Sequence, residues 1–266
     1  MKIPPDGGAA GAAWTLAPGD GVDAFWILRD TRRNCELARL TGAAVNGLPE
    51  AEAIHLRRRQ HGRGDGTGAE LETLASYPFG GEAEIARRMA VRDGFIAVCV
   101  DVKPGRGEIV RQFDLDGLVF AGEWQQAAMV LKFPAAGMAP AKLEPLALDR
   151  DGVLWEGAAP PLLMVLTDAD GFQLEIGAGD DWWRLAGDGV AGNRPQCRIE
   201  RTAAGIVLRR EVLNLAADAA FERRPWRFNY YLAWSDGRRR EALGGFKRLA
   251  LADLPDPEEG RTCGED

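Results

Sequence analysis

The sequence predicts an all-β protein, a large antiparallel β-sandwich with few short helices. Three observations carry this. The dipeptide Asp-Gly, suited to the positive φ angles of tight turns, recurs nine times. Short apolar runs with a period of two lie between several of these turns. The segment Trp226 to Trp234 alternates throughout, with Trp226, Phe228, Tyr230, Leu232 and Trp234 on one parity and Arg227, Asn229, Tyr231 and Ala233 on the other.

Taken in order, Gln60 to Gly68 is rich in glycine and charge and reads as an exposed loop. Glu82 to Arg92 mixes helix-forming residues with a strand-like face of Ile85, Met89 and Val91. The strand is preferred, because Asp93-Gly94 would fold it back onto Phe95 to Val102. Strands follow at Ile109 to Leu115 and, after a turn at Asp116-Gly117, at Leu118 to Phe120. Trp124 to Phe133 is another, and Pro134 to Pro145 is a longer connection. Val153 to Trp155, Leu162 to Leu166, Phe172 to Ile176, Ile206 to Leu215 and Phe246 to Leu251 complete the set. The turn spacings from Asp93 onward are 23, 35, 19, 18 and 48 residues, which fits no propeller or solenoid. Residues 1–254 therefore read as one sandwich domain and 255–266 as a polar, disordered tail.

Composition narrows the function. The chain has 266 residues, a formal charge of −7, 46% hydrophobic and 27% charged residues, enough to bury a full core without disulfide staples. Arginine outnumbers lysine 28 to 5, but acids interleave with the arginine clusters, so solvated strand faces explain them and no nucleic-acid partner is expected. Cys35, Cys99, Cys197 and Cys263 form no CxxC pair and are expected to be reduced. No leader and no membrane-length apolar run is present, so the expectation is a cytoplasmic protein with no membrane partner.

Only His55 and His61 supply imidazole, and both read as loop residues, so His-based acid–base chemistry and zinc are disfavoured. No cofactor motif is found, and no strand–loop–helix phosphate cradle. Three Asp-x-Asp-Gly segments, at 114–117, 149–152 and 168–171, invite a calcium-loop reading. The third places Leu166 and Gly177 at ligand positions 1 and 12, and the first places Gln112 at position 1, so turns explain them. Arg63-Gly64-Asp65 carries no weight.

Eight tryptophans stand out, since indole rings can stack on sugar rings while neighbouring acids, amides and arginines grip hydroxyls. Glu123-Trp124 and Asp181-Trp182 combine those ingredients. Arg227, Asn229 and Tyr231 would emerge together on the face opposite the apolar row of their strand. Those seven residues are the candidate ligand site. Glu123, Glu175, Asp180 and Asp181 are the acids open to a hydrolase, which needs a carboxylate pair at a set separation that sequence cannot place.

The run Arg87 to Trp124 ending in Gly122-Glu123-Trp124, then Gly171 to Gly177 and Trp226-Arg227-Phe228, resembles the β-supersandwich of galactose mutarotase-like and related carbohydrate-active proteins. Phe25 to Asp30 and Asn46-Gly47 fit opening strands of the same architecture. The resemblance implies a broad sandwich whose concave face binds sugars. It does not carry over the family's histidine chemistry, because His55 and His61 match no site strand. The functional expectation is a carbohydrate-binding or carbohydrate-processing protein with a sugar or oligosaccharide as ligand, binding rather than catalysis. The alternative is a non-enzymatic structural or protein-interaction domain.

Overall fold

The structure, a computed structural model, describes residues 9–10, 14–21, 24–53, 55–62, 69–77, 83–92, 94–103, 110–131, 143–178, 192–215 and 225–235. The chain opens with β1 (Ala9–Ala10), β2 (Trp14–Gly21), β3 (Ala24–Asp30), β4 (Cys35–Leu40), β5 (Ala44–Val45) and β6 (Leu48–Pro49). A 3-10 turn at Glu50–Glu52 leads to β7 (His55–Gly62), β8 (Ala69–Tyr77), β9 (Ala83–Arg92), β10 (Phe95–Lys103), β11 (Gln112–Phe120) and β12 (Trp124–Val130). The remaining strands are β13 (Glu144–Leu146), β14 (Gly152–Gly157), β15 (Leu163–Asp168), β16 (Gln173–Ala178), β17 (Gln196–Thr202), β18 (Gly205–Asn214) and β19 (Trp226–Ser235).

These strands make two antiparallel sheets. The first runs β1-β2-β3-β4-β11-β18-β17-β14, with β5 and β6 attached to β11, and the second runs β13-β12-β15-β16-β19-β10-β9-β8-β7. No described helix is long and apolar enough to cross a membrane. The all-β sandwich expected from turn chemistry and alternation is the observed architecture. Phe246 to Leu251 and the 255–266 tail lie outside the described residues.

Turn chemistry sets several hairpins as the sequence indicates. Asn46 and Gly47 have φ of 49° and 80°, joining β5 to β6, and Gly94 at φ 73° joins β9 to β10. At Asp168 to Gly171 the Asp168 carboxylate accepts the N–H groups of Asp170 and Phe172, both at 2.9 Å, which makes this segment a turn between β15 and β16.

Two expectations are corrected. Asp116-Gly117 is not a turn between two strands. β11 runs straight through it, with a register shift against β18 between Leu115 and Leu118. The one extra residue forms a β-bulge that turns the Asp116 carboxylate inward, where it is fully buried. Thr41 fastens the bulge, its N–H donating to the Gly117 carbonyl at 2.9 Å and its hydroxyl accepting from the Gly117 N–H at 3.1 Å. The second correction is at Gln60 to Gly62, which belong to β7 rather than a loop, so His55 and His61 both lie in a strand at the sheet edge. Residues 63–68 lie outside the described ones.

The aromatic row of β19 fills the middle of the core, as alternation requires. Trp234 meets Trp14 of the facing sheet edge-on at 6.0 Å, and Phe228 stacks on Phe113 at 5.6 Å. Between them lies a buried polar network. Arg87 of β9 donates from Nη1 to Glu50 at 2.6 Å, and from Nε and Nη2 to the two Asp116 oxygens, the first at 3.2 Å. Tyr230 also donates to Asp116, and Arg210 of β18 donates twice to the Asp116 carbonyl while lying over the Tyr230 ring at 4.2 Å. Thr73 of β8 donates to Glu50 at 3.3 Å.

Two arginines thus face two carboxylates, a neutral set drawn from both sheets. Burial alone would lower the Arg87 pKa, but Asp116 and Glu50 outweigh it and hold the guanidinium charged, with a pKa well above its usual value. Burial, with Asp116 adding, raises the Tyr230 phenol likewise. Each charge is met by hydrogen bonds, which is the condition for tolerating ions in a low-dielectric core.

Candidate functional site

The outward face of the second sheet is where strand parity collects polar side chains. With Trp226, Phe228 and Tyr230 in the core, Arg227, Asn229 and Tyr231 stand on the outer face, spaced about 7 Å apart by the two-residue repeat. β10 pairs beside them in register: Asp101 opposite Arg227, Cys99 opposite Asn229 and Ala97 opposite Tyr231. β9 continues the rows, with Arg88 opposite Cys99.

Three of these side chains form a charged triad. Arg227 holds Asp101 bidentately, Nε to Oδ1 at 2.6 Å and Nη2 to Oδ2 at 3.2 Å. Arg88 reaches the same Oδ2 through Nη2 at 3.3 Å. The side chains of Arg227, Arg88 and Asp101 are 29%, 23% and 16% exposed, so the triad is partly screened from water and still reachable. Cys99 lies buried between the two arginines. Burial, with Asp101 adding, pushes its thiol up to about 11, although both guanidiniums pull the other way. It is a neutral floor to the site rather than a nucleophile.

Tyr231 lies flat. Its ring stacks on Phe95 at 5.5 Å and covers Gly177 of β16, where an added Cβ would come within 1.9 Å of the ring. Glycine at 177 is therefore what lets this ring lie down on the sheet. Glu175, two residues along β16, is buried on the same face and pairs in register with Ala233. It stands six residues, about 20 Å, from Asp101 along the strand direction, far outside the separation of a glycosidase carboxylate pair.

The structure thus brings Arg227, Asn229 and Tyr231 together and leaves Glu123 and Trp124 apart from them. Trp124 belongs to the core cluster between the sheets; its indole Nε1 donates to the Phe120 carbonyl at 3.2 Å and its ring packs at a tilt on Phe172. It seals the sandwich and is not a stacking platform on the Arg227 face. Glu123 is exposed in the connection before β12. Asp180, Asp181 and Trp182 lie outside the described residues. Sequence reasoning missed Arg88 and Asp101, although a partial signal was present: Asp101 carries charge at the outward parity of a strand whose inward parity is apolar, and Arg88 does so beside an inward row that is apolar except for Arg87. Among the described residues no group of three or more His, Cys, Asp or Glu side chains could hold a metal ion.

The sequence matches no family model and no curated protein. Solved structures match by fold. An α-N-acetylgalactosaminidase from Bifidobacterium bifidum aligns with 92% of this chain and 39% of its own, at TM-score 0.56 and 9% identity. An α-mannosidase from Enterococcus faecalis V583 aligns with 95% of this chain and 31% of its own, at TM-score 0.53 and 8% identity. A galactose mutarotase-like protein from Lactobacillus casei ATCC 334 aligns with 86% of this chain and 99% of its own, at TM-score 0.49 and 9% identity. The chain thus spans less than two fifths of the two glycosidases, and the shared feature is the large β-sandwich.

Proposed function

We propose that this protein binds a carbohydrate on the outer face of its second sheet, with Arg227, Asn229 and Tyr231 as the contacting row. The observation that carries the reading is that row itself: a guanidinium, an amide and a phenol in register on one face, the arginine aimed by Asp101. Arg227 and Asn229 would donate to and accept from vicinal hydroxyls, with the buried Tyr231 ring packed on the sheet beside them. The sandwich fold shared with two glycosidases supports the same ligand class. The proposal is of binding; of the described acids on this face, Asp101 and Glu175 stand too far apart to work as a glycosidase pair, and Asp180 and Asp181 lie outside the described residues.

The test is a glycan array on the whole chain, followed by calorimetry of the best ligand with Arg227→Ala. The variant is expected to lose roughly 1–3 kcal/mol of binding free energy, as for a charge-assisted contact. Its melting temperature should stay within a few degrees, since Asp101 keeps Arg88 as partner. If no glycan binds the parent chain, the carbohydrate reading fails and the non-enzymatic interaction domain replaces it. If Arg227→Ala unfolds, that side chain is structural and the site is misplaced.

A further inference from the structure

We infer that the outermost strand of the first sheet, β14, pairs with β14 of a second copy of this chain, antiparallel about a two-fold axis at Val153. The described sheets end in strands that are protected from such pairing, with one exception. β1 and the branch strand β6 are two residues long, and β13 is three residues with Pro145 at its centre. β7 is longer, but Arg57, Arg58 and Arg59 stand exposed in a row along it. β14 is six residues, Gly-Val-Leu-Trp-Glu-Gly, carries one charge, and among the described strands pairs only with β17. Its far edge therefore presents backbone N–H and C=O groups with no described strand beside them, which is the template that strand addition uses.

The surroundings of this edge are apolar. Among the described residues the exposed large hydrophobics are Val153 at 41% and Leu143 at 43%. Both lie on the same side of the sandwich, since Leu143 precedes β13, the edge of the second sheet, and only residues 147–151 join β13 to β14. Arg201 of β17 pins that link to the first sheet by donating to the Leu148 carbonyl. A specific interface takes roughly 800 Å² from each partner, more than one short ladder provides, so flanking side chains must contribute, and these two are placed to do so. The charges favour a second copy over an unrelated strand. Antiparallel pairing centred on Val153 turns the end that carries Arg150 toward the end that carries Glu156, and the two-fold axis repeats the contact. Parallel pairing would set Glu156 beside Glu156. Arg150 is exposed, and Glu156 keeps 47% of its side chain exposed even with Arg198 and Gln196 bound to it. The register shift against β17 between Val153 and Trp155 adds twist and keeps the ladder short.

Sedimentation velocity of the whole chain across a hundredfold range of concentration tests this, and a dimer is expected. Val153→Lys, which sets two ammonium groups against each other at the axis, should raise the dissociation constant about tenfold or more, with a thermal melt to report that the variant is folded. Arg150→Glu should weaken the dimer, and Arg150→Glu combined with Glu156→Arg should restore it. With Cys35 and Cys263 replaced by serine, Val153→Cys should give a disulfide-linked dimer on mild oxidation, because opposed residues of an antiparallel pair lie within disulfide reach. Arg32→Cys, exposed in the turn between β3 and β4, should not. If Val153→Lys melts early, the charge exchange and the cross-link decide. A chain that stays monomeric throughout overturns the inference; if it also takes up a synthetic peptide of its own residues 150–157, the edge receives extended partners instead of a copy. A dimer untouched by Val153→Lys and Arg150→Glu overturns it by placing the interface elsewhere. Assembly that keeps growing with concentration overturns the two-fold in favour of a head-to-tail contact.

Discussion

At the scale of single residues, the buried Arg87 is the most consequential side chain in the core. Arg87→Ala leaves Glu50 and Asp116 charged and without their main partner, at zero exposure. The expected loss is about 3–5 kcal/mol in urea unfolding. Removing the exposed Arg198, paired with Glu156 at 2.9 Å, should cost no more than about 1 kcal/mol. Equal costs for the two would show that the Arg87 network contributes no more than a surface pair. On the outer face of the first sheet, Asp114 stands opposite Glu211, with Gln112 Nε2 within 3.3 Å of one carboxylate and 3.4 Å of the other. Burial first, and then Glu211, raises Asp114 from 3.8 to about 6, although Gln112 and Arg209 pull it down. A carboxyl raised on folding binds its proton more tightly in the native state, so its stability contribution is complete below pH 3.8 and is lost as pH rises to about 6. Asp114→Asn should therefore be more stable than the parent at pH 7, with a flatter stability profile over that window. Denaturation curves that move in parallel at every pH would refute this.

At the scale of strands, the face that carries the proposed site depends on glycine as much as on its polar row. Gly177→Ala places a methyl group where the Tyr231 ring lies, so the ring must swing off the sheet and break its stack on Phe95. The cost should be about 1–3 kcal/mol, with a changed near-ultraviolet tyrosine signal. An unaltered spectrum would mean the ring does not rest on Gly177. Which strands could be read from sequence follows a simple physical line. β16 and β19 alternate and β10 is a continuous apolar, β-branched run following a turn, so all three were legible, and β9 was placed by the turn that follows it. β8, Ala-Glu-Leu-Glu-Thr-Leu-Ala-Ser-Tyr, is built from helix-forming residues and becomes a strand through its pairing with β7 and β9. β7 is an edge strand of charged residues with no apolar period to reveal it. The row Arg227, Asn229 and Tyr231 was legible because parity is local; Arg88 and Asp101 were not joined to it because strand register is a property of the folded sheet.

At the scale of the whole molecule, the sheets are joined by more than apolar contact. Glu50, Asp116 and Arg210 come from the first sheet and its flanking turn, and Thr73, Arg87 and Tyr230 from the second, so neither sheet can neutralise its buried charges alone. Trp14 on Trp234 and Phe113 on Phe228 cross the same interface. Denaturation followed by tryptophan fluorescence and by far-ultraviolet circular dichroism should accordingly give superimposable curves. Two separated midpoints would show that one sheet persists without the other. The bulge at Asp116 bears on how the sequence can change over time. A strand that alternates regularly can absorb the loss of one residue by sliding along its neighbours, at the cost of inverting its faces. β11 has no such freedom: its offset must bring one carboxylate to Arg87 while Gly117 stays locked to Thr41. Insertions and deletions are thus channelled away from the middle of this strand and toward the connections between strands, and β11 serves as the fixed origin from which the positions of its neighbours are counted.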